Sequence, residues 1–224
     1  MIPNEINFHG FPRELPDFLY SLQFTNTVEK LPENKLIYKQ LITEPLFQFF
    51  NALVPAALSV SDTLITKPSR CVSSMYTDMR FSRATPLKEY MYIRFREPGC
   101  ERDILGLYFD MGREYYSYGI RIYKQTSAGM ERIRRGVIEN TRAFAQALTG
   151  LNPLGMTVKG DKYAKDRYPD IDNPAVKDLL NHRNFYITRD RPISEAVFNS
   201  EISNEISSAF MGMKDIYYLL KQSY

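Results

Sequence analysis

The sequence predicts an α+β fold, in which an antiparallel β-meander sheet is flanked by N-terminal helices, a long central helix and a C-terminal helix. Two observations lead to this prediction. Apolar residues recur at three- and four-residue intervals in the first sixty residues and again after residue 127, as in amphipathic helices. Between Cys71 and Tyr123 the period changes to two, and the turns are too short for the crossovers that parallel strands need.

The N-terminal part of the chain contains three predicted helices. The first covers residues 12–24, and Pro32 suits the first turn of the second. Thr43 is the predicted N-cap of a third helix within residues 45–61. This last segment is uncharged, but Pro55 interrupts it and it is shorter than the roughly 20 apolar residues of a membrane span. We therefore expect a buried core helix and no membrane association.

Three strands are predicted between residues 89 and 123, with turns at Pro98-Gly99 and at Gly112. In a strand, successive side chains point to opposite faces. In the first strand, one face carries Met91, Ile93 and Phe95 and is expected to be buried. The other face carries the tyrosines and arginines at positions 90, 92, 94 and 96, so it is aromatic and cationic.

The rest of the chain alternates between short strands and helices. Ser127 is the predicted cap of one long helix that ends at Gly150, and residues 160–173 form a polar loop. The other predicted elements are a short strand at 156–158, a helix from Asn173-Pro174 to Asn181, a strand at 185–188 and a final amphipathic helix at 202–220. Because no linker-like segment separates these elements, we expect a single domain over residues 1–224.

The composition is that of an ordinary globular protein, which excludes the collagen-like, disordered and disulfide-scaffold classes. Two cysteines without metal-site spacing and an N-terminus without a signal peptide predict a cytoplasmic protein with free thiols. The net charge of +3 is too small to indicate nucleic-acid binding by itself. Residues 67–135, however, hold 14 basic and 8 acidic side chains, so the positive charge is concentrated there.

Common catalytic motifs are absent from the sequence, which has no G-x-S-x-G elbow, no H-E-x-x-H pair, no G-x-G-x-x-G loop and no EF-hand loop. Only His9 and His182 are available for a metal site or a serine triad, and each is more typical of a surface or capping histidine. We therefore expect neither a bound metal nor a cofactor.

A first candidate binding site lies between residues 78 and 88. It consists of Asp78, Arg80, Ser82 and Lys88. An arginine guanidinium matches phosphate and carboxylate groups through paired donors, and serine and lysine side chains can complete such a site. An ion pair between Asp78 and a nearby arginine, with a structural role only, explains the same pattern equally well.

The polar face of the predicted sheet is the second candidate. Tyr92 and Arg94 lie on it, and Tyr118 or Arg121 of another strand joins them, depending on the register. Arginines interleaved with aromatic rings suit stacking against a nucleotide or single-stranded nucleic acid. If helices cover this face, the same residues instead form a second core with arginines that reach out to solvent.

The segment from Asp78 to Lys88 resembles a motif of the bacterial family known as domain of unknown function 2461. The matching residues are Asp78, Arg80, Phe81, Ser82, Pro86 and Lys88. Further similarities, among them the tyrosine-rich residues 115–119, extend over nearly the whole chain. The chain departs from the family pattern at Leu87, which replaces a tyrosine, and at Ser74 and Thr77, which replace arginines. The resemblance implies a single α+β domain and no particular activity.

These observations favour a binding module for an anionic small molecule that carries phosphate or carboxylate. The candidate residues are Asp78, Arg80, Ser82, Lys88, Tyr92, Arg94, Tyr118 and Arg121. One alternative is a hydrolase or transferase of unknown reaction that uses Asp78 as base or Lys88 as acid, although a carboxylate beside cations suits an ion pair better. The other is a nucleic-acid or protein docking surface on the tyrosine and arginine face.

Overall fold

A computed structural model describes residues 8–78, 85–99 and 101–224 of the chain. The helices are α1 (Leu15–Thr25), α2 (Leu31–Tyr38), α3 (Glu44–Val60), α4 (Pro68–Cys71), α5 (Ser127–Glu139), α6 (Thr141–Thr149), α7 (Pro174–Leu180), α8 (Glu201–Gly212) and α9 (Lys214–Gln222). The strands are β1 (Met91–Arg96), β2 (Ile104–Met111), β3 (Tyr115–Tyr123), β4 (Thr157–Lys159) and β5 (Tyr186–Pro192).

The five strands form one sheet in the order β1-β2-β3-β5-β4, and every neighbouring pair is antiparallel. The consecutive strands β1, β2 and β3 pair with each other, so the predicted meander is confirmed. β5 then pairs with β3, and the three-residue β4 lies at the far edge. The α+β fold class is likewise confirmed.

One face of the sheet is buried against helices α3 and α8. Ile93 and Phe95 of β1 are fully buried, as their alternation predicts. The ring of Phe95 lies 5.3 Å from that of Phe50 in α3 and 6.4 Å from that of Phe210 in α8. Removing each such ring from water contributes about 2 to 3 kcal/mol, so this face is the main source of stability.

The predicted N-cap at Thr43 is wrong. Its dihedral angles, φ −63° and ψ −49°, are helical, and its side chain makes no capping hydrogen bond. Helix α2 continues into α3 through a π-helical turn at Lys39–Thr43. Pro45 accounts for the wider turn, because proline has no N–H to donate and its ring crowds the carbonyl group four residues earlier.

The continuous helical segment Leu31–Val60 is long and apolar enough to cross a membrane by length and composition alone. In this fold, its side chains Phe49, Phe50 and Leu53 are fully buried in the protein core. The prediction of a buried core helix is therefore confirmed for Glu44–Val60.

The predicted long central and C-terminal helices are each divided into two. The central helix breaks at Asn140 (φ −124°, ψ 36°), between α5 and α6. Asn140 and Thr141 donate side-chain hydrogen bonds to carbonyl groups of the preceding turn, and such bonds compete with the helical backbone pattern. The C-terminal helix breaks at Met213, directly after Gly212, a residue of low helix propensity.

The N-cap of α5 is Thr126 rather than the predicted Ser127. The Thr126 hydroxyl accepts a hydrogen bond from the backbone N–H of Gly129 at 2.9 Å. The buried carboxylate of Asp103 in turn accepts the backbone N–H (2.5 Å) and the hydroxyl (2.7 Å) of Thr126. It also accepts a hydrogen bond from Arg132 at 3.1 Å. These contacts fix the start of α5 against the residue that precedes β2.

The predicted elements of the last third are confirmed with shifted bounds. The polar loop at residues 160–173 separates β4 from α7. Asn173 is the N-cap of α7, because its side chain accepts a hydrogen bond from the Val176 N–H at 3.1 Å. Strand β5 ends at Pro192, four residues beyond the predicted end at residue 188, and all four additional residues pair with β3.

Glu97 joins three parts of the core. It follows β1, its side chain is only 14% exposed, and it accepts hydrogen bonds from the hydroxyls of Ser61 (2.7 Å) and Thr63 (2.5 Å) after α3. From α9, the Tyr217 hydroxyl donates a hydrogen bond to Glu97 (3.0 Å), and the ammonium group of Lys221 forms an ion pair with it (3.1 Å). Burial by itself would raise the pKa of Glu97, but the hydrogen bonds outweigh burial and hold this pKa below its ordinary value.

Glu97→Gln is expected to lower the free energy of unfolding by about 2 kcal/mol at neutral pH, because the amide carries no charge and accepts fewer hydrogen bonds. Since the folded-state pKa is lowered, the carboxylate stabilises the fold above the ordinary glutamate pKa and loses this effect as the pH falls through the folded-state value. Urea denaturation of both proteins should show the difference shrinking in acid. Glu101→Gln, at an exposed position, is the control; an equal loss there, or a difference that grows in acid, would contradict the assignment.

Candidate functional site

The sheet face opposite α3 and α8, here called the open face, carries the candidate site. Its side chains form rows across β1, β2, β3 and β5. The rows are Tyr92, Asp110, Ser117 and Asp190; then Arg94, Tyr108, Gly119 and Thr188; then Arg96, Gly106, Arg121 and Tyr186. Most of these side chains are half-buried, whereas Tyr108 and Thr188 are fully covered. The face is therefore neither a second apolar core nor a fully solvated surface.

Two glycines allow close approach of the strands at the centre of the open face. A Cβ atom at Gly106 would collide with the carbonyl oxygen of Phe95, and one at Gly119 (φ +154°) would collide with that of Ile187. With no side chain at either position, space is left for the longer side chains of the neighbouring rows to lie across the sheet.

The arginines of the open face stack on tyrosine rings. The guanidinium carbon of Arg94 lies 3.8 Å from the ring centroid of Tyr92 and 5.3 Å from that of Tyr123. The guanidinium carbon of Arg121 lies 5.8 Å from the ring of Tyr108 and 5.5 Å from that of Tyr186. Stacking of this kind contributes about 0.5 to 2 kcal/mol for each pair and fixes where the positive charges lie.

Unpartnered polar atoms are concentrated on the same face. Arg94 Nε, Asp110 Oδ1 and the Tyr123 hydroxyl are shielded from solvent and have no hydrogen-bond partner within the described residues. Within the described residues, two other buried polar atoms also have no hydrogen-bond partner: the Tyr38 hydroxyl and His182 Nε2. Because buried polar groups in folded proteins are nearly always hydrogen-bonded, the concentration of three such atoms makes this face the candidate site.

Burial determines the protonation behaviour of these groups. It raises the pKa of Asp110 above its ordinary value, although the nearby charges of Arg94 and Arg121 act in the opposite direction. The closest of these charges is Arg121 Nη1, 3.6 Å from Asp110 Oδ2. Burial also raises the pKa of Tyr108 to about 12 and that of Tyr123 further still, so both tyrosines remain neutral hydroxyls.

A hydrogen-bond chain crosses the open face towards β4. The Tyr108 hydroxyl donates to Thr188 Oγ1 at 2.6 Å, and the Thr188 hydroxyl donates to Asp190 Oδ1 at 3.1 Å. The other oxygen of Asp190 accepts a hydrogen bond from Lys159 Nζ at 2.6 Å. Asp190 is thus neutralised by its own cation, while Asp110 is the carboxylate that faces Arg94 and Arg121.

A pocket of about 550 Å³ opens at one end of the open face. It is lined by Tyr90, Arg94, Asp110, Met111, Gly112, Tyr115, Tyr116, Ser117 and Asp190. Tyr90 and Tyr115 are 49% and 61% exposed, so two aromatic side chains lie at its mouth. The volume falls within the usual range of small-molecule pockets.

A second pocket of about 410 Å³ shares Tyr90 with the first and contains two of the predicted site residues, Asp78 and Lys88. Lys88 Nζ donates to the carbonyl oxygen (3.0 Å) and the hydroxyl (3.1 Å) of Ser74 and lies 5.3 Å from the ring of Tyr92. Burial, and then the charge of Arg94, lower the pKa of Lys88. Asp78 and Lys88 of the first candidate site therefore lie beside the open face, next to Tyr90 and Tyr92.

The structure places most of the predicted site residues. Tyr92, Arg94 and Arg121 lie together on the open face. Arg80 and Ser82 lie outside the described residues. The expectation that Tyr118 joins Tyr92 and Arg94 is wrong, because it pairs with Phe109 and points into the core, where its hydroxyl donates to Glu205 at 2.6 Å.

Sequence analysis missed Asp110, Ser117, Tyr123 and Asp190. The sequence contains one signal for Asp110. It is the only charged residue of β2, whose sequence is Ile-Leu-Gly-Leu-Tyr-Phe-Asp-Met. Two-residue alternation places Asp110 on the same face as Tyr108 and opposite Phe109. The position of Asp190 depends on the pairing of β5 with β3, which sequence alone does not reveal.

No group of three or more histidine, cysteine, aspartate or glutamate side chains within residues 8–78, 85–99 and 101–224 is arranged to hold a metal ion. Cys71 is a free thiol, and burial raises its pKa to about 11. The chemistry that the open face offers is hydrogen bonding, charge and aromatic contact.

Comparison with known families assigns the chain. Residues 14–218 match the family described as Conserved hypothetical protein (DUF2461). The chain belongs to this family. The match covers nearly the whole sequence, as the resemblance at Asp78 to Lys88 implies, and the family description states no activity for DUF2461. No curated protein matches the sequence.

Asp110→Asn is expected to raise the thermal midpoint at neutral pH. Because burial raises the folded-state pKa of Asp110, its charged form lowers stability, and this cost disappears as the pH falls through that pKa and the carboxyl group is protonated. Thermal melts of both proteins across the acidic range should therefore converge at low pH. Asp170→Asn, at an exposed position, is the control. A lower midpoint for Asp110→Asn would mean that its contacts with Arg94 and Arg121 dominate.

Proposed function

We propose that the open face binds an anionic small molecule that carries a phosphate or carboxylate group. The observation behind this proposal is the group of shielded, unpartnered polar atoms beside Arg94 and Arg121. Leaving a buried donor without a partner costs about 1 to 3 kcal/mol, and more for a charged group. A ligand anion that accepts hydrogen bonds from the guanidinium group of Arg94 would remove this cost.

The charge balance of the face supports an anion. Arg94 and Arg121 act on one carboxylate, Asp110, because Asp190 is already paired with Lys159. Lys88 adds a further positive charge near Arg94. Burial, and then the like charge of Arg94, lower the pKa of Lys88, so these two cations repel each other. A bound anion would relieve this repulsion.

The shape of the face favours a small molecule over a nucleic acid. Single-stranded nucleic acids stack their bases on exposed aromatic or guanidinium surfaces. Here Arg94 and Arg121 are stacked on tyrosines of the protein itself. What the face offers instead is a pocket of about 550 Å³ with Arg94 in its wall.

Lys88 suits the role of a second cation rather than that of a catalytic acid. Its ammonium group donates two hydrogen bonds to Ser74, which fix its position beside Tyr92. We therefore place Lys88 and Asp78 at the border of the anion site and assign no reaction to them.

Arg94→Gln is expected to weaken the binding of phosphate-bearing compounds by at least about tenfold, which corresponds to about 1.4 kcal/mol. Glutamine preserves much of the length of the side chain but removes its charge and its paired donors. A thermal-shift screen of the wild-type protein would identify the compounds that bind. Calorimetry would then measure their affinities for both proteins at low and at high salt. Binding to the wild-type protein should weaken as salt is added.

Arg142→Gln is the matched control, because it removes the same charge from an exposed position on α6. Equal affinities of the wild-type protein, Arg94→Gln and Arg142→Gln would overturn the proposal. So would the absence of any shift with phosphates, sugar phosphates, nucleotides and carboxylates.

A further inference from the structure

We infer that the anionic ligand is an acidic sugar, meaning a hexose that carries a phosphate or a carboxylate. This inference rests on the proposed function and adds the chemistry of the uncharged part of the ligand. It depends on three features of the pocket at the end of the open face: two exposed tyrosines at its mouth, a row of hydrogen-bond acceptors along its floor, and an arginine at one side.

The mouth of the pocket suits a ring with apolar faces. Tyr90 and Tyr115 both line it and are about half exposed or more, so their rings are accessible to a ligand in the pocket. Gly112 lines the same pocket and adds no side chain to it. The C–H groups of a sugar ring pack well on aromatic rings, which present an apolar surface with a polar hydroxyl at the edge.

The floor of the pocket suits hydroxyl groups. Asp110, Ser117 and Asp190 occupy one row across β2, β3 and β5. Ionised carboxylates only accept hydrogen bonds, so their ligands must donate. A sugar has several adjacent hydroxyl donors at the edge of its ring. Asp110 Oδ1 has no partner within the described residues, so it is the acceptor that such a hydroxyl would satisfy.

The arginine fixes the orientation of the ligand. Arg94 lines the same pocket as the row of Asp110, Ser117 and Asp190, and its neighbour on β2, Tyr108, is fully covered. The anionic group would therefore lie towards Arg94 and the hydroxyls over Asp110 and Ser117. Since Asp110 Oδ1 is shielded from water, a change of side-chain rotamer accompanies binding, as is common at binding surfaces.

The test compares ligands that share an anion but differ in the attached group. Calorimetry would measure inorganic phosphate, phenyl phosphate, adenosine monophosphate and a panel of hexose phosphates and hexuronates. At least one acidic hexose should bind about tenfold or more tightly than phenyl phosphate, because phenyl phosphate has a ring but no hydroxyls. Asp110→Asn should remove this advantage and raise the affinity for inorganic phosphate, since it removes a negative charge beside Arg94.

Tyr115→Ala and Tyr115→Phe provide a matched pair at an exposed position, where neither change endangers folding. The alanine variant should lose the advantage of the acidic hexose, and the phenylalanine variant should keep it, because only the ring is required. If phosphates bind but no acidic hexose exceeds phenyl phosphate, the sugar inference is wrong and the anion site stands. Preference for adenosine monophosphate over every hexose would also overturn it. If no anion binds at all, both proposals fail.

Discussion

The one-sided burial of the sheet is the constraint on which the rest of the structure depends. Phe95 is enclosed by rings from α3 and α8, and the alternation of the strand then sends Arg94 and Arg96 to the other side. A shift of register by one residue would bury the arginines and expose the core, so the register is strongly fixed. The composition of the open face follows from this register, since its residues on β1, β2 and β3 are neighbours in sequence of core residues.

The open face differs from an ordinary solvated sheet face in how far its charges are withdrawn from water. Asp110 is only 29% exposed, and the guanidinium groups beside it lie against tyrosine rings. The carboxylate of Glu97, by contrast, accepts hydrogen bonds from three hydroxyl groups. The two carboxylates have opposite pKa directions because Glu97 is fully partnered and Asp110 is not. This contrast separates a carboxylate that stabilises the fold from one that is available to a ligand.

Local patterns predicted the parts of the fold that depend on local physics. The two-residue period identified β1 to β3 and the tyrosine and arginine face, because side-chain alternation is a property of any strand. The breaks at Asn140 and Met213 were missed because the apolar periodicity continues through them, while the polar side chains or the glycine beside them decide the backbone. Tyr118 was misplaced because a tyrosine fits either face, and its hydroxyl finds Glu205 only in the folded protein. Asp190 reaches the site through long-range pairing, which has no local signature.

The pairing of β5 with β3 also bears on the order in which the protein folds. Strands β1 to β3 are joined by short turns, whereas the Tyr108–Thr188 hydrogen bond links residues 80 positions apart. Closing so long a stretch of chain costs more entropy than forming a hairpin, so the meander has the kinetic advantage and β5 docks onto an existing template. The acidic row acquires Asp190 in that last step. A molecule with only its meander formed therefore has Arg94 and Arg121 on the sheet, but its pocket lacks Asp190.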